Sequence, residues 1–272
     1  MKFAACNEMF GPTPFHDICH QLSELGYDGI EIAPFTLADT VHDLLEGDRV
    51  ALRKMAEEHG LEVVGLHWLL IKPEGLHLTT PDDALRERTL SYMLDLVDFC
   101  GDIGGPIMVC GSPKQRTVLD SYEASWARAV EGFRRLADRA ATRGVTFCIE
   151  PLSPTETDFI QNAADGRRMV ADVDHEHFQM ILDVKAMSGG ETDPMPDVIR
   201  ASAAQLRHFH VNDPNLLGPG MGEFDDTAVA DALRGIGYEG YCSVEVFRFE
   251  QEGYALAQQS LEGLRRWYGD AQ

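Results

Sequence analysis

Positive charge is scarce in this sequence. Its 23 Lys and Arg stand against 45 Asp and Glu, a formal net charge of -22, and so negative a surface repels phosphate backbones and anionic headgroups. Nucleic acid is therefore not an expected partner. Long hydrophobic runs are missing too: nowhere do about 18 apolar residues run together, and the N-terminal MKFAACNEMF meets Glu8 before a signal-length apolar core can form. Neither a membrane span nor a secretory leader is expected, and the expected location is the cytoplasm. No C-x-x-C spacing links Cys6, Cys19, Cys100, Cys110, Cys148 and Cys242. They suit buried thiols in a reducing compartment rather than a structural zinc site. No G-x-G-x-x-G follows the first apolar run, so the dinucleotide turn of an open doubly wound sheet is absent.

What the chain does have is a regular alternation. Short apolar runs at residues 2–6, 27–32, 61–66, 106–110, 145–149, 178–182, 206–209 and 241–244 have the length and composition of buried parallel strands. Between and after them, segments 15–25, 48–59, 82–100, 122–143, 163–173, 196–204, 226–233 and 258–267 carry helical spacing. Eight strand-helix units without a low-complexity linker predict one (β/α)₈ TIM barrel, a single α/β domain over residues 1–272.

The most informative stretch is VTFCIEPLSPTE, residues 145–156. An unbroken apolar strand delivers Glu150 to its tip, Pro151 forbids the ladder from continuing, and Glu156 follows in a proline-framed loop. The same grammar recurs with Asp183, His210 and Glu245, at intervals of 33, 27 and 35 residues. Each interval is one βα step of a barrel, so four inward side chains converge on one rim. Any single acid there has a plainer reading as a loop or helix cap, but three carboxylates and an imidazole in consecutive units call for a divalent cation to offset their repulsion. Oxygen and imidazole donors suit Mn²⁺, Co²⁺ or Mg²⁺, with Zn²⁺ also compatible. His208 shares the strand face of His210 and is a candidate orienter.

The segments IEPLSPTETDF, LDVKAM, HFHVNDPN with GPGMGEFD, and SVEVF resemble the xylose isomerase-like TIM-barrel superfamily of sugar isomerases and epimerases. In pattern they are nearest its tagatose and psicose 3-epimerase branch. The resemblance covers nearly the whole chain. It implies that Glu150, Asp183, His210 and Glu245 hold one divalent metal, Mn²⁺ being favoured. It also implies that Glu150 and Glu245 are the paired acid and base beside a keto-sugar, and that Glu156 contacts a substrate hydroxyl.

The pattern lapses at two places, where Ala186 replaces a His and Leu216 an Arg. Free ketohexose specificity is accordingly not carried over. Lys185, Lys114 and Arg116 are candidates for holding an anionic substrate group, Trp68 for stacking on a sugar, and His67 and Asn7 for lining the pocket beside Glu8. The expected activity is a metal-dependent isomerase or epimerase of a keto-sugar or sugar acid through an enediolate. The alternatives are a dehydratase or decarboxylase using the same site, and a non-catalytic barrel subunit. The endonuclease branch of the superfamily is opposed by the charge. The sequence leaves room for a homo-oligomer.

Overall fold

The computed structural model describes residues 1–269. Eight parallel strands close into one barrel in chain order: β1 Lys2–Cys6, β2 Gly29–Ile32, β3 Glu62–Leu66, β4 Ile107–Cys110, β5 Thr146–Ile149, β6 Phe178–Asp183, β7 Leu206–Val211 and β8 Tyr241–Val244. Closure is made by β1 against β8, with Lys2 opposite Tyr241 and Ala5 opposite Val244. Around the strands lie helices α1 Phe15–Leu25, α2 Glu46–Glu58, α3 Asp83–Asp102, α4 Tyr122–Arg143, α5 Ala163–Val173, α6 Val184–Gly190, α7 Met195–Ser202, α8 Thr227–Gly235 and α9 Gly253–Trp267. Among the described residues no helix is long and apolar enough to cross a membrane.

The helix α4 shows how the outer layer is written. Ser121 caps it by accepting from the Ala124 N–H, and Gly144 ends it in the left-handed region at φ 66°. Trp126, Ala129, Phe133, Leu136, Ala137 and Ala140 recur three or four positions apart and are buried, which makes one apolar face. Phe133 packs on Phe147 of β5 and Phe178 of β6, with ring centroids 5.5 and 4.9 Å apart. Each such buried ring contributes about 1.5–3 kcal/mol. The helix is thereby fixed against the two strands that carry Glu150 and Asp183 at their ends.

Inside the ring the residue pattern is different. Glu31 of β2 bonds to two histidines of β7, and those strands are not neighbours, so the bonds cross the barrel interior. Val109, Cys148 and Ile181, from β4, β5 and β6, form a small apolar cluster separate from the main core. One side of the interior is thus polar and the other apolar. All six cysteines are buried and free.

Several expected boundaries shift by a few residues. β6 runs on to Asp183 and β7 to Val211, so Asp183 and His210 lie within strands rather than after them. α9 begins at Gly253, five residues before the periodic apolar pattern expected from 258. The short helix α6 was hidden by its Gly-Gly end, and it forms because the Asp183 carboxylate caps it, accepting from the Ala186 N–H at 2.7 Å.

Candidate active site

Glu150, Asp183, His210 and Glu245 meet. One ligand atom from each lies within 4.8 Å of all the others, and all four residues are buried. Glu150 directly follows β5, where its own N–H donates to the Cys110 carbonyl at 3.2 Å before Pro151 ends the pairing. Glu245 follows β8, held by its N–H on the Val211 carbonyl at 3.3 Å. The carboxylates thus hang from backbone that is still paired into the barrel. Gly111 stands beside this point, and a side chain there would collide with the Glu150 carboxylate.

The charges are not balanced. Burial, then the neighbouring Glu245, pushes the Glu150 carboxyl well above the usual range. Burial likewise raises Asp183 to about 6. Glu245 moves the other way: burial opposes its charge, but the His210 imidazolium alongside holds it down at about 2. Its Oε2 lies 3.0 Å from His210 Nδ1. His210 is correspondingly raised against the effect of its own burial, by Glu31 and Glu245. Two carboxyls that resist ionisation beside a third held ionised form a donor set short of positive charge, which a divalent cation fits. No structural cysteine-rich motif is present, and oxygen donors outnumber nitrogen.

Asp183 is committed twice over. Besides capping α6, its Oδ2 accepts from Asn212 Nδ2 at 2.6 Å. The plainer expectation of a helix cap is therefore realised here together with membership of the cluster. His208 donates no ligand atom to the cluster; its Nε2 pairs with Glu31 Oε2 at 2.8 Å, while Glu31 Oε1 takes His210 Nε2 at 3.1 Å. Glu31 went unrecognised in the sequence. The signal available was an acid at an inward position of GIEI, a strand buried at all four residues.

Above the cluster opens a cavity of about 260 Å³. Glu150 and Glu245 reach it, as do Glu156, Lys185, Lys114 and Trp68. Glu156 is anchored by Ser153, whose hydroxyl donates at 2.8 Å, and it receives Lys185 Nζ at 2.5 Å. Lys185 also sits 3.8 Å from the centroid of the Phe247 ring. The ion-pair reading of Lys185 is the one realised, and it leaves little charge for an anionic substrate. Trp68 donates its indole N–H to Glu245 Oε1 at 2.5 Å and stacks with Phe35 and Phe247. It enters the cavity as part of a fixed wall.

Three expected lining residues lie elsewhere. Arg116 is 1% exposed and donates to the carbonyls of Cys110 and Glu150. It holds the backbone that presents Glu150 and does not meet the cavity. Its position close behind β4 led the sequence reading to place it on the rim, but five donors on a guanidinium satisfy buried carbonyls equally well. Asn7 bonds Thr36 Oγ1 and the Ala33 N–H, tying the end of β1 to the end of β2. His67 is buried outside the cavity lining, its Nε2 2.9 Å from Glu8 Oε2 and its Nδ1 3.8 Å from Glu245 Oε1. Burial drives both members of the His67–Glu8 pair toward their neutral forms. Phe247, Ile71 and Leu152 line the cavity without having been foreseen.

Known proteins resemble this chain over most of its length. The family described as a xylose isomerase-like TIM barrel matches residues 19–267. The D-psicose 3-epimerase of Agrobacterium fabrum is 30% identical over 246 residues, covering 88% of this chain and 79% of the relative. Among solved structures, D-psicose 3-epimerase from Clostridium cellulolyticum H10 superposes with a TM-score of 0.86 at 23% identity, over 98% of this chain and 99% of that one. The 3-keto-D-glucoside 4-epimerase of E. coli superposes with a TM-score of 0.82 at 25% identity, over 98% and 99%.

Proposed function

This chain belongs to the xylose isomerase-like TIM barrel family, and from that premise we propose that it is a divalent-metal-dependent epimerase of a keto-sugar, working through an enediolate. The relatives named above are sugar epimerases, and none of them is a dehydratase or decarboxylase. The observation that carries the reading is the convergence of Glu150 and Glu245, from the non-adjacent strands β5 and β8, within one buried group at the cavity floor.

Glu150, Asp183, His210 and Glu245 are the residues that would hold the metal, with Mn²⁺ favoured among oxygen-preferring ions. Such an ion supplies Lewis acidity, lowering the cost of removing a proton next to a ketone. The chain supplies the rest. A carboxylate takes the proton from the carbon beside the carbonyl, that C–H electron pair passes into the enediolate, and a carboxyl group returns a proton to the same carbon. Return from the side opposite to removal inverts the centre, and Glu150 and Glu245 are disposed on different strands for those two tasks. Which of the two takes the first proton depends on which face of the carbon carries it, and the other returns one.

Proton exchange tests the reading. Incubated in D₂O with Mn²⁺ and a panel of keto-sugars, the protein is expected to yield an epimer carrying a single deuterium at the inverted carbon, with no loss of water or CO₂. No label in any keto-sugar, with the metal demonstrably bound, would refute the proposal.

Glu31 enters as a positioning residue. By accepting from His210 Nε2 it fixes that ring's orientation, so that Nδ1 faces the cluster. Glu31→Gln keeps one acceptor but sets an N–H against the other imidazole. It is expected to weaken metal binding by about 10–100-fold, read by calorimetric titration of Mn²⁺ into the stripped protein. Unchanged affinity would remove Glu31 from the metal's support.

A further inference from the structure

Above the acidic floor the cavity is walled by Trp68, Ile71, Pro113, Leu152 and Phe247. We propose that the keto-sugar bound there carries a flat apolar substituent, an aryl glycoside being the chemical class, and that these residues form the subsite for its ring. The inference rests on the epimerase reading for the sugar and adds the identity of what is attached to it.

The first support is the distribution of polarity. A free hexose presents hydroxyls on every side, and each needs a partner once desolvated. Here the polar lining residues outside the cluster are Ser112, Lys114, Gln115, Glu156 and Lys185. Two of these are already spent, because Glu156 and Lys185 are paired with each other at 2.5 Å. Arg116 is withdrawn behind the backbone. Trp68, Ile71, Pro113, Leu152 and Phe247 offer a hydroxyl no free side-chain partner, the Trp68 N–H being held by Glu245, whereas an apolar ring removes them from water.

The second support is how firmly the wall is built. Phe35, Trp68 and Phe247 form a continuous aromatic row, with centroids 5.8 and 6.1 Å apart and planes inclined by 24° and 26°. Lys185 extends the row through the Phe247 ring. Trp68, Ser112 and Leu216 hold left-handed backbone at φ 49°, 28° and 77°, conformations that cost a non-glycine residue energy and persist where the surroundings impose them. Leu216 supports the row directly, its carbonyl accepting from the Phe247 N–H at 2.9 Å.

The third support is exposure. Ile71 stands at the cavity with 38% of its surface in water. An exposed apolar side chain that borders an aromatic wall is covered when a ring lies against both.

Binding of non-reacting probes separates this inference from the epimerase reading. Methyl and phenyl β-D-glucopyranoside are titrated calorimetrically into the Mn²⁺-loaded protein. The phenyl probe is expected to bind about tenfold to a hundredfold more tightly, the yield of burying one aromatic ring. Phe247→Ala is expected to erase most of that ratio, and the exposed-site variant Ile71→Ser to reduce it without a change in melting temperature. A ratio within about twofold in the parent protein, or one that neither variant changes, overturns the aryl subsite. In D₂O, exchange of a phenyl 3-keto-glucoside is expected to exceed that of D-fructose at least tenfold. The reverse order overturns the subsite with the epimerase reading intact. A retained phenyl preference with no exchange in any keto-sugar overturns the epimerase reading instead.

Discussion

Glu150→Gln is expected to lower solvent-proton exchange by about 10²–10⁴-fold, the usual worth of a positioned acid or base, while the barrel stays folded. An amide has nearly the shape of a carboxyl group, and the Glu150 N–H bond to Cys110 is untouched by the change. What disappears is a group able to give and take a proton. The melting temperature of the metal-free protein is expected to hold or rise, because the substitution removes one member of a set of mutually repelling buried carboxyls. Two routes to the loss have to be separated, since Glu150 is also placed to hold the metal. Mn²⁺ titration does so: retained metal with lost exchange assigns the proton-transfer role, and exchange at the parent's rate in the Gln variant would sink it.

The second large effect is the response to metal. At 100 times its dissociation constant, an ion bound only by the folded state adds about 2.7 kcal/mol. For a chain of this size that is a rise of roughly 5 °C in melting temperature. The rise should itself depend on pH. In the metal-free fold Asp183 is raised to about 6, Glu150 well above an ordinary carboxyl, and His210 well above an ordinary imidazole.

For the two carboxyls the folded state binds protons that the unfolded chain, with carboxyls near about 4, has already lost. They therefore destabilise the fold increasingly as pH climbs through that interval. The raised His210 gives stability present at low pH and lost as pH passes its folded value, which is the same direction. Glu245 and Glu31, both lowered, give stability that fails only at much more acid pH. Metal-free protein should therefore melt lower at pH 8 than at pH 5, and Mn²⁺ should raise the melting temperature much more at pH 8, where its donors are free of protons. Scanning calorimetry at both values checks this. An equal metal shift at the two pH values would mean that Glu150 and Asp183 do not shed protons to the ion.

Much of this site was legible because a parallel strand buried on both sides reads as an apolar run, and whatever polar residue ends it stands out. Glu150, Asp183, His210 and Glu245 were found that way, and the resemblance of their flanking segments supplied the same four. Glu31 was not found, because it sits inside a strand and its justification is on the opposite side of the barrel. Two-residue periodicity gives the face a side chain takes but not what faces it. Arg116 was misplaced for a related reason: a cation one turn beyond a strand can lie on the rim or fold back under it, and only the position of the Cys110 and Glu150 carbonyls decides. Phe247 was passed over because an aromatic three residues after a strand end looks like ordinary packing until Trp68 and Lys185 are seen on its ring.

The hydrogen bonds from Glu31 across the barrel bear on how such a centre can be moved. A designer copying it onto another eight-stranded scaffold would take the four residues that meet and would choose strands to match β5 through β8. That graft would leave an imidazole unsupported on its far side and free to turn. The transferable unit is larger by one strand on the opposite wall and by the second histidine that steadies it. Libraries that vary the cavity walls can spare β2 altogether, since nothing on it needs to change for the ligand to change.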